Sequence, residues 1–299
     1  MEIPDVVIVG SIGYDDIETP YGKRERVLGG SVSHAALAAS FFCNVGIVGV
    51  VGDDFDRKHI DFLNKKGICT KGLKIENGKT FYWCGAYDEF NNAQTKKTEF
   101  GVFENFRPEL PEEYKRARYV FLANISPELQ KHVITQLENP ELIFLDTMNH
   151  WISNNREELI DAIKKVDIML LNEGEAKMLF GNNLIKSGKE LLNLGIKAAI
   201  IKKGEHGSLL FMKDKIFSMP AYPIENVKDP TGAGDSFAGA LIGFISKVGF
   251  SQENIKKGIA YASVIASFNV EEFSLDNLKD LTMDKIEKRY NELKEMASI

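Results

Sequence analysis

Cysteine is scarce in this sequence, and the cysteines that are present form no recognisable pattern. Cys43, Cys69 and Cys84 are scattered and odd in number, with no Cys-x-x-Cys pair and no disulfide framework. No apolar run is as long as a membrane span, and the acidic first residues do not provide the basic region of a signal peptide. These absences argue against a disulfide-stapled, secreted or membrane-spanning protein, and we expect a cytoplasmic one.

A surplus of basic residues is also missing. The 299 residues carry a net charge of -6 without a long basic or acidic block, which argues against a nucleic-acid partner. Charged residues (27%) are spread along the chain and hydrophobic residues (44%) suffice for a large core, so we do not expect disorder. Because there is no internal repeat or low-complexity linker, we expect a single domain over residues 1–299.

A glycine-rich turn late in the chain carries the strongest chemical signal. Gly232, Ala233 and Gly234 precede Asp235, and apolar residues at helical spacing follow. Such a helix start leaves backbone N–H groups unpaired, and glycines without a Cβ let a phosphate approach them. Asp235 would repel that anion, so its economical task is to accept the proton of a hydroxyl that attacks phosphorus. The alternative is an ordinary tight turn with Asp235 as the helix cap.

The longer string around this turn is more specific than the turn itself. The twelve residues DPTGAGDSFAGA, which begin at Asp229, resemble the C-terminal signature of the ribokinase-like (PfkB) family of carbohydrate and nucleoside kinases. The resemblance implies a three-layer α/β fold with a central, mostly parallel sheet flanked by helices. It also implies that Asp235 is the catalytic base, and that the amides of residues 232–235 hold the transferring phosphoryl group.

Strands and helices alternate along most of the chain, which predicts parallel pairing with right-handed crossovers. The predicted strands of the main sheet are 6–9, 45–52, 118–123, 142–146, 167–171 and 198–201. Two segments, about 13–28 and 79–104, do not fit the alternation. We expect them to form a small antiparallel sheet that covers the strand ends as a lid, and the alternative is a plain edge hairpin.

Aromatic residues are concentrated in the second of these two segments. Phe81, Trp83 and Tyr87 alternate with other residues, so they are predicted on one face of a strand. The remaining predictions for this segment are a hairpin tip at Asn91-Asn92 and an aromatic strand over 98–106.

Four residues near the N-terminus match substrate-binding positions of the family. Asp15 follows the first strand, at the end where functional residues of open α/β sheets gather, although alone it could be a solvated turn aspartate. It matches the Asp of the family's Gly-Ser-Ile-x-x-Asp string, which binds sugar hydroxyls. Gly29 and Gly30 resemble the start of Gly-Gly-x-x-x-Asn, with His34 in place of the substrate-binding Asn. Histidine can still donate and accept, or it can simply be packed.

The resemblance also assigns residues to the nucleotide and its cations. Asn172 and Glu175 have the spacing of a capping box, and they match the family's Asn-x-x-Glu motif, which helps to position Mg²⁺ and phosphate through water. A glycine-bounded hairpin turn resembles the one that lines the ATP ribose and phosphates. The implied nucleotide-binding residues are Asn172, Lys203, Gly204, Gly207 and Thr231. Glu175 is implied for Mg²⁺, and we hypothesise a K⁺ site at Asp229, with Thr231 and Ser274.

The leading interpretation is an ATP- and Mg²⁺-dependent kinase that phosphorylates a hydroxyl of a small sugar, with a nucleoside as the alternative acceptor. The lid aromatics could stack a base or a sugar face, or pack in a homodimer formed through the lid, as the family often uses. A non-catalytic sugar sensor would not need an acid at Asp235. A dinucleotide-binding oxidoreductase is disfavoured, because Phe237 stands where Gly-x-Gly-x-x-Gly requires its last glycine.

Overall fold

The structure is a computed structural model that describes residues 3–89, 91 and 93–298. The strands are β1 (Val6–Val9), β2 (Gly13–Thr19), β3 (Gly22–Gly29), β4 (Val45–Gly52), β5 (Ile68–Glu76), β6 (Phe81–Tyr87), β7 (Ala93–Glu99), β8 (Tyr119–Leu122), β9 (Leu142–Leu145), β10 (Ile168–Asn172), β11 (Ala198–Lys202), β12 (Ser208–Met212) and β13 (Lys215–Met219). The α-helices are α1 (Ser31–Ala39), α2 (Arg57–Lys65), α3 (Pro127–Ile134), α4 (Asn149–Asn154), α5 (Arg156–Ile163), α6 (Glu173–Phe180), α7 (Leu184–Asn193), α8 (Ala233–Val248), α9 (Gln252–Asn269), α10 (Asp276–Lys279) and α11 (Met283–Ala297).

The central sheet has the strand order β13-β12-β11-β10-β9-β8-β1-β4-β5. The seven strands from β11 to β5 pair in parallel, and β12 and β13 extend the sheet as antiparallel strands. Such parallel strands have hydrophobic side chains on both faces, as the fully buried run Val6–Val9 illustrates. The predicted alternation of strands and helices is therefore confirmed.

Helices cover both faces of this sheet and create two separate cores. One core joins α1, α2, α8, α9 and α11 to the sheet, and the other joins α3 to α7 to the opposite face. This arrangement confirms the predicted three-layer α/β fold. Within the residues that the structure describes, none of the helices combines the length and hydropathy needed to cross a bilayer.

Helices α1 and α8 approach each other at backbone distance. A Cβ on Gly239 would lie 2.0 Å from the carbonyl oxygen of Ala35, and one on Gly243 would lie 2.8 Å from that of Ala39. Side chains larger than hydrogen at these two positions would push the helices apart. The close packing brings the beginning of α1 next to the beginning of α8, where the glycine-rich turn lies.

The two segments that broke the alternation form a separate four-stranded sheet, in the order β3-β2-β6-β7. The prediction that this sheet is antiparallel throughout is wrong, because β2 and β6 pair in parallel while β2–β3 and β6–β7 are antiparallel. The reason is topological: the chain leaves the β2–β3 hairpin, passes through α1 to β5 in the main body, and returns to the small sheet in the direction of β2.

Some predicted boundaries were also wrong. The aromatic strand predicted over 98–106 is replaced after Glu99 by a 3-10 helix, Gly101–Asn105, whose first residue has a φ of +53°. The strand that precedes it is the exposed, polar β7. The hairpin tip predicted at Asn91-Asn92 lies partly outside the described residues, because Asn92 is not among them.

Candidate active site

The glycine-rich turn is the beginning of α8. Gly232 is the N-cap, with a left-handed φ of +72°, and Ala233 is the first helical residue. Asp235 is the third residue of the helix, so the alternative that Asp235 caps it is wrong, and no side chain of a described residue caps this helix. The amide of Ala233 donates to the carbonyl oxygen of Pro230 at 3.2 Å. For the amides of Gly234 and Asp235, no acceptor is found within the described parts of the chain.

The Asp235 carboxylate is equally without a hydrogen bond or ion pair to any residue that the structure describes. Burial, followed by the negative charge of Asp146, raises the pKa of Asp235 to about 7, and Lys202 opposes this shift. A carboxylate with a pKa near 7 is a much stronger base than an exposed aspartate, and it is still ionised at neutral pH in a large fraction of molecules. The residue therefore has the properties of a general base.

Three further charged residues lie where the central strands end. Asp146 directly follows β9, Lys202 ends β11, and the Lys202 Nζ donates to Asp146 Oδ2 at 2.9 Å. Their side chains are 15% (Lys202) and 7% (Asp146) exposed. Glu175 is in the first turn of α6, where burial, followed by the charge of Asp146, raises its pKa to about 8. Neighbouring parallel strands thus bring these groups to one edge of the sheet.

Asn172 and Glu175 form the capping box that the sequence predicts. The Asn172 Oδ1 accepts from the Glu175 amide at 2.9 Å, and the Glu175 Oε2 accepts from the Asn172 amide at 2.6 Å. The box fixes the Glu175 side chain next to the start of its own helix. Its structural role is therefore visible, and its role towards Mg²⁺ stays a prediction.

Asp15 lies on β2 and is only 5% exposed. Burial, followed by the charge of Asp229 and with a smaller effect of Asp235, raises its pKa to about 7. A Cβ on Gly29 would lie 2.1 Å from Asp15 Oδ2, so glycine is needed there to leave room for the carboxylate. Gly30 has a φ of +87°, and a Cβ there would lie 2.5 Å from the carbonyl oxygen of Ser11. The structure therefore brings Asp15, Gly29 and Gly30 together.

His34 is buried under the glycine-rich turn, with 1% of its surface exposed. Its ring packs against Gly232, where a Cβ would lie 2.1 Å from Nδ1. The Asn269 Oδ1, which also accepts from the Ser236 hydroxyl at 3.0 Å, lies 3.1 Å from His34 Nδ1. We therefore assign the proton to Nδ1. Burial lowers the pKa of His34 to about 4, so the ring is neutral, and its Nε2 is buried without a partner among the described residues.

The small sheet contacts the same turn through β6. The Thr231 hydroxyl donates to the Tyr87 hydroxyl oxygen at 3.1 Å, and burial raises the pKa of this tyrosine. Trp83 lies on the same side of β6 as Tyr87: its indole covers Gly85, and the two ring centroids are 6.4 Å apart. An aromatic surface therefore continues from the glycine-rich turn along the small sheet.

Asp229 differs from the other acids because both of its oxygens are used. It is fully buried, its Oδ1 accepts from the Thr231 amide at 2.8 Å, and its Oδ2 accepts from the Ser274 amide at 2.7 Å. The Ser274 hydroxyl in turn donates to the carbonyl oxygen of Leu28 at 2.8 Å. Asp229 thus ties the turn before α8 to the end of β3.

The turn between β11 and β12 has the geometry expected of a tight hairpin. The Lys203 amide donates to the Gly207 carbonyl oxygen at 2.7 Å, and Gly204 and Gly207 have φ values of +55° and +78°. A Cβ on Gly207 would lie 2.0 Å from the carbonyl oxygen of Met219, so only glycine fits. Contact of these residues with a nucleotide stays a prediction.

The comparisons with known proteins agree with this geometry. The family model for pfkB family carbohydrate kinases matches residues 4–280. The chain belongs to the PfkB family. PfkB kinases are ATP-dependent phosphotransferases that act on a hydroxyl group, and that is the reaction class of this protein.

Individual relatives match this chain over most of its length. A cytidine kinase from Thermococcus kodakarensis is 30% identical over 266 residues, which are 86% of this chain and 94% of the relative. The structure of a Burkholderia thailandensis nucleoside kinase in complex with inosine has a TM-score of 0.82 at 21% identity, covering 96% and 97% of the two chains. A candidate ribokinase II from E. coli in complex with ATP and Mg²⁺ has a TM-score of 0.80 at 19% identity, covering 96% and 99%.

Sequence reasoning missed several residues of this PfkB site. The sequence places Lys202 in the turn after the predicted strand 198–201 and Asp146 at the end of the predicted strand 142–146, and neither position indicates a role in the site. Asn269 lies 235 residues from His34, so no local pattern could join them. A signal was present only for Lys202, because a lysine that ends an otherwise buried strand run is unusual.

Proposed function

We propose that this enzyme transfers the γ-phosphoryl group of ATP to a hydroxyl group of a nucleoside. The observation that carries the proposal is the Asp235 carboxylate, which is unpaired in the described residues, has a pKa of about 7, and adjoins the free amide of Gly234. A base near neutrality beside unpaired amide donors is what this transfer requires, because catalysis of it consists mainly of positioning and electrostatic stabilisation.

In the proposed reaction, Asp235 accepts the proton of the attacking hydroxyl. The hydroxyl oxygen forms a bond to the γ-phosphorus, the bond from that phosphorus to the bridging oxygen breaks, and ADP leaves. The amides of residues 232–235, chiefly those of Gly234 and Asp235, would stabilise the charge on the moving phosphoryl group together with the dipole of α8. Asp15 would accept hydrogen bonds from other substrate hydroxyls, and His34 Nε2 would accept one more, beside Gly29 and Gly30.

For the nucleotide, we propose that Asn172, Lys203, Gly204, Gly207 and Thr231 line its phosphates and ribose. No group of three or more His, Cys, Asp or Glu side chains close enough to hold a metal occurs in the part of the chain that the structure describes. Mg²⁺ would therefore take most of its ligands from phosphates and water, with Glu175 as a ligand through water. The bound metal would neutralise phosphate charge, as expected from the ATP and Mg²⁺ of the E. coli relative.

A nucleoside is the preferred acceptor for two reasons. Two proteins that match most of this chain are named as a cytidine kinase and a nucleoside kinase. In addition, the Trp83 and Tyr87 rings form an aromatic surface next to the turn that bears Asp235, and a flat base can pack on such a surface while the ribose meets Asp15.

A small sugar is the second candidate. It is supported by the family description, carbohydrate kinase, and by the ribokinase II candidate among the related structures. With either acceptor, a hydroxyl group attacks the γ-phosphorus in the same way. The two candidates differ in the part of the substrate that would pack on the aromatic surface.

We also propose that the small sheet, residues 13–28 and 79–104 of a single domain, acts as a lid that excludes water from the reaction. The hydrogen bond between Thr231 and Tyr87 supports this role. A homodimer through the lid and a K⁺ ion at Asp229 are further proposals. Faster turnover in potassium than in sodium buffer would support the ion.

A coupled assay of ADP release tests the proposed function. The protein is supplied with ATP and Mg²⁺, and with cytidine, inosine, adenosine, ribose or fructose in turn. We expect release with at least one nucleoside and much less with the free sugars. Release with ribose or fructose alone would favour the second candidate, and release with none of a wider panel would contradict both. The variant Trp83→Ala should raise KM for the nucleoside and leave KM for ribose unchanged.

A further inference from the structure

Lys202 is a cation next to the beginning of α8 that acts on Asp235, and no role in the reaction has been assigned to it above. It ends β11, its side chain is 15% exposed, and its Nζ donates to Asp146 Oδ2 at 2.9 Å. Removing an ammonium group from water is unfavourable unless a partner compensates it, and here one carboxylate does so.

The position of the ammonium group relative to α8 is the unusual feature. A Cβ on Gly234 would lie 3.0 Å from Lys202 Nζ, so the ammonium group lies beside the second residue of the helix. The beginning of a helix carries a partial positive charge, which disfavours a cation there. Gly234 has no side chain to separate the two. A cation and a helix start that converge on one point are arranged for an anion that lies between them.

The groups that face Lys202 keep it charged. Burial favours the neutral amine, but Asp146, Glu175 and Asp235 outweigh this effect and hold the pKa of Lys202 above its ordinary value. These three acids come from the end of β9, the first turn of α6 and the first turn of α8. A permanent ammonium group in a dry site stabilises charge on a ligand without the need to reorganise solvent.

We propose that Lys202 is a catalytic residue whose ammonium group contacts the γ-phosphoryl group of ATP at Gly234, while Asp146 holds the lysine in place. This inference rests on the proposed function. No bond forms or breaks at Lys202: the proton of the acceptor hydroxyl goes to Asp235, and the lysine remains protonated throughout. Lys202 balances the charge that moves with the phosphoryl group. It also offsets the repulsion between that group and Asp235.

A purely structural role predicts a different outcome. If Lys202 served only to neutralise Asp146, its removal would destabilise the fold and would affect all nucleotides alike. Contact with the γ-phosphoryl group predicts a selective effect on ligands that contain it. The two roles are therefore separated by the ratio of two affinities, which is independent of turnover.

The test compares binding of ADP with binding of the non-hydrolysable ATP analogue AMP-PNP, both with Mg²⁺ and without acceptor, by calorimetry. In Lys202→Met, we expect the affinity for AMP-PNP to fall about tenfold or more, the affinity for ADP to change less than about threefold, and kcat to fall about 100-fold. Lys202→Arg should recover part of the AMP-PNP affinity, because the charge is kept.

Two further variants keep the test interpretable. Lys197→Met is the matched control, because Lys197 lies just before the start of β11, at the opposite end of the strand from Lys202, and pairs with Asp167 at 2.8 Å. Both affinities should match the parent. If Lys202→Met does not fold because Asp146 is left unpaired, the double variant Lys202→Met/Asp146→Asn removes both charges and should show the same selective loss.

The outcomes distinguish this inference from the proposed function. If the parent protein binds AMP-PNP and Lys202→Met binds it equally well, the role of Lys202 is wrong and the kinase remains. Equal losses for ADP and AMP-PNP would also overturn the contact with the γ-phosphoryl group. If the parent protein binds neither nucleotide, the proposed function itself fails.

Discussion

Helices α6 and α8 both begin near the ends of the central strands, but their first turns are built differently. In α6, the side chains of Asn172 and Glu175 each accept from the other residue's amide, so the turn is closed. In α8, Gly232 is the N-cap, and none of the residues that the structure describes caps the helix with its side chain, so this turn is open. An anion can bind only amides that the protein leaves unpaired, so α8 is the helix of the two that we propose as the anion-binding one.

The two turns also differ in what their acids do. Glu175 accepts from the backbone of its own turn, whereas no partner of Asp235 is found in the residues that the structure describes. Burial raises the pKa of both acids. An acid committed to the backbone stabilises local structure, and an uncommitted one is available to a substrate. The comparison therefore separates an acid that is bonded to the backbone, Glu175, from the proposed catalytic base, Asp235, and the predictions below test that difference.

The largest effect is expected from Asp235→Asn, which keeps the size of the side chain and removes the base. A general base contributes roughly 100- to 10,000-fold, so kcat should fall by at least about 100-fold in the ADP-release assay. The control is Asp161→Asn, which removes an exposed acid that pairs with Lys164 at 3.4 Å and should not change kcat. Turnover of Asp235→Asn at the parent rate would contradict the role of Asp235.

The second-largest effect is expected at the open turn, which is the uncapped beginning of α8 at Gly232. Gly232→Ala forces a left-handed φ of +72° on a residue with a Cβ, and that Cβ would overlap the His34 ring at 2.1 Å. We expect loss of more than about 2 kcal/mol of unfolding free energy, since backbone strain alone costs about 1–2 kcal/mol, together with loss of activity.

Gly67→Ala is the matched control for that clash. Gly67 has a φ of +76°, almost the same as Gly232, but no atom lies within 4 Å of its Cβ position. This variant should lose only the strain energy, about 1–2 kcal/mol in urea unfolding, and keep full activity. Equal losses in the two variants would mean that the contact with His34 does not constrain the turn.

These examples indicate how much of the fold and of the site can be predicted from the sequence. The alternation of buried strands and helices determines a parallel sheet, and the string around Asp235 marks the open turn, because both signals are local. The pairing of β2 with β6, and the contacts of His34 with Asn269 and of Lys202 with Gly234, join residues distant in sequence. These contacts depend on the packing of the whole chain, so no local sequence motif predicts them.

The third effect is the pH dependence of activity that Asp235 should give. Asp235 must be ionised to act as a base, so kcat/KM should fall as pH decreases through about 7. Asp15 also has a pKa of about 7, raised first by burial and in part by the charge of Asp235. The two groups therefore titrate together, and the acidic limb should be steeper than for a single proton.

The same shift affects stability with the opposite sign. Because the folded pKa of Asp235 is above its unfolded value of 3.8, ionisation is disfavoured in the folded state. Stability should fall as pH rises from about 4 to about 7. Comparing the Tm of the parent with that of Asp235→Asn at pH 5 and pH 8 isolates this contribution, and the parent should be relatively less stable at pH 8. A Tm difference independent of pH would contradict the raised pKa.

The smallest effect is expected at the closed turn, which is the first turn of α6 with its Asn172–Glu175 capping box. Asn172→Ala removes the cap of α6 and should cost about 1 kcal/mol of unfolding free energy. Asn183→Ala is its matched control: Asn183 caps α7 in the same way, accepting from the Lys186 amide at 3.0 Å, and is not assigned to the nucleotide. Both variants should lose similar stability, but only Asn172→Ala should raise KM for ATP. If both leave KM unchanged, Asn172 is a cap alone, and the nucleotide is bound by the open turn without help from the closed one.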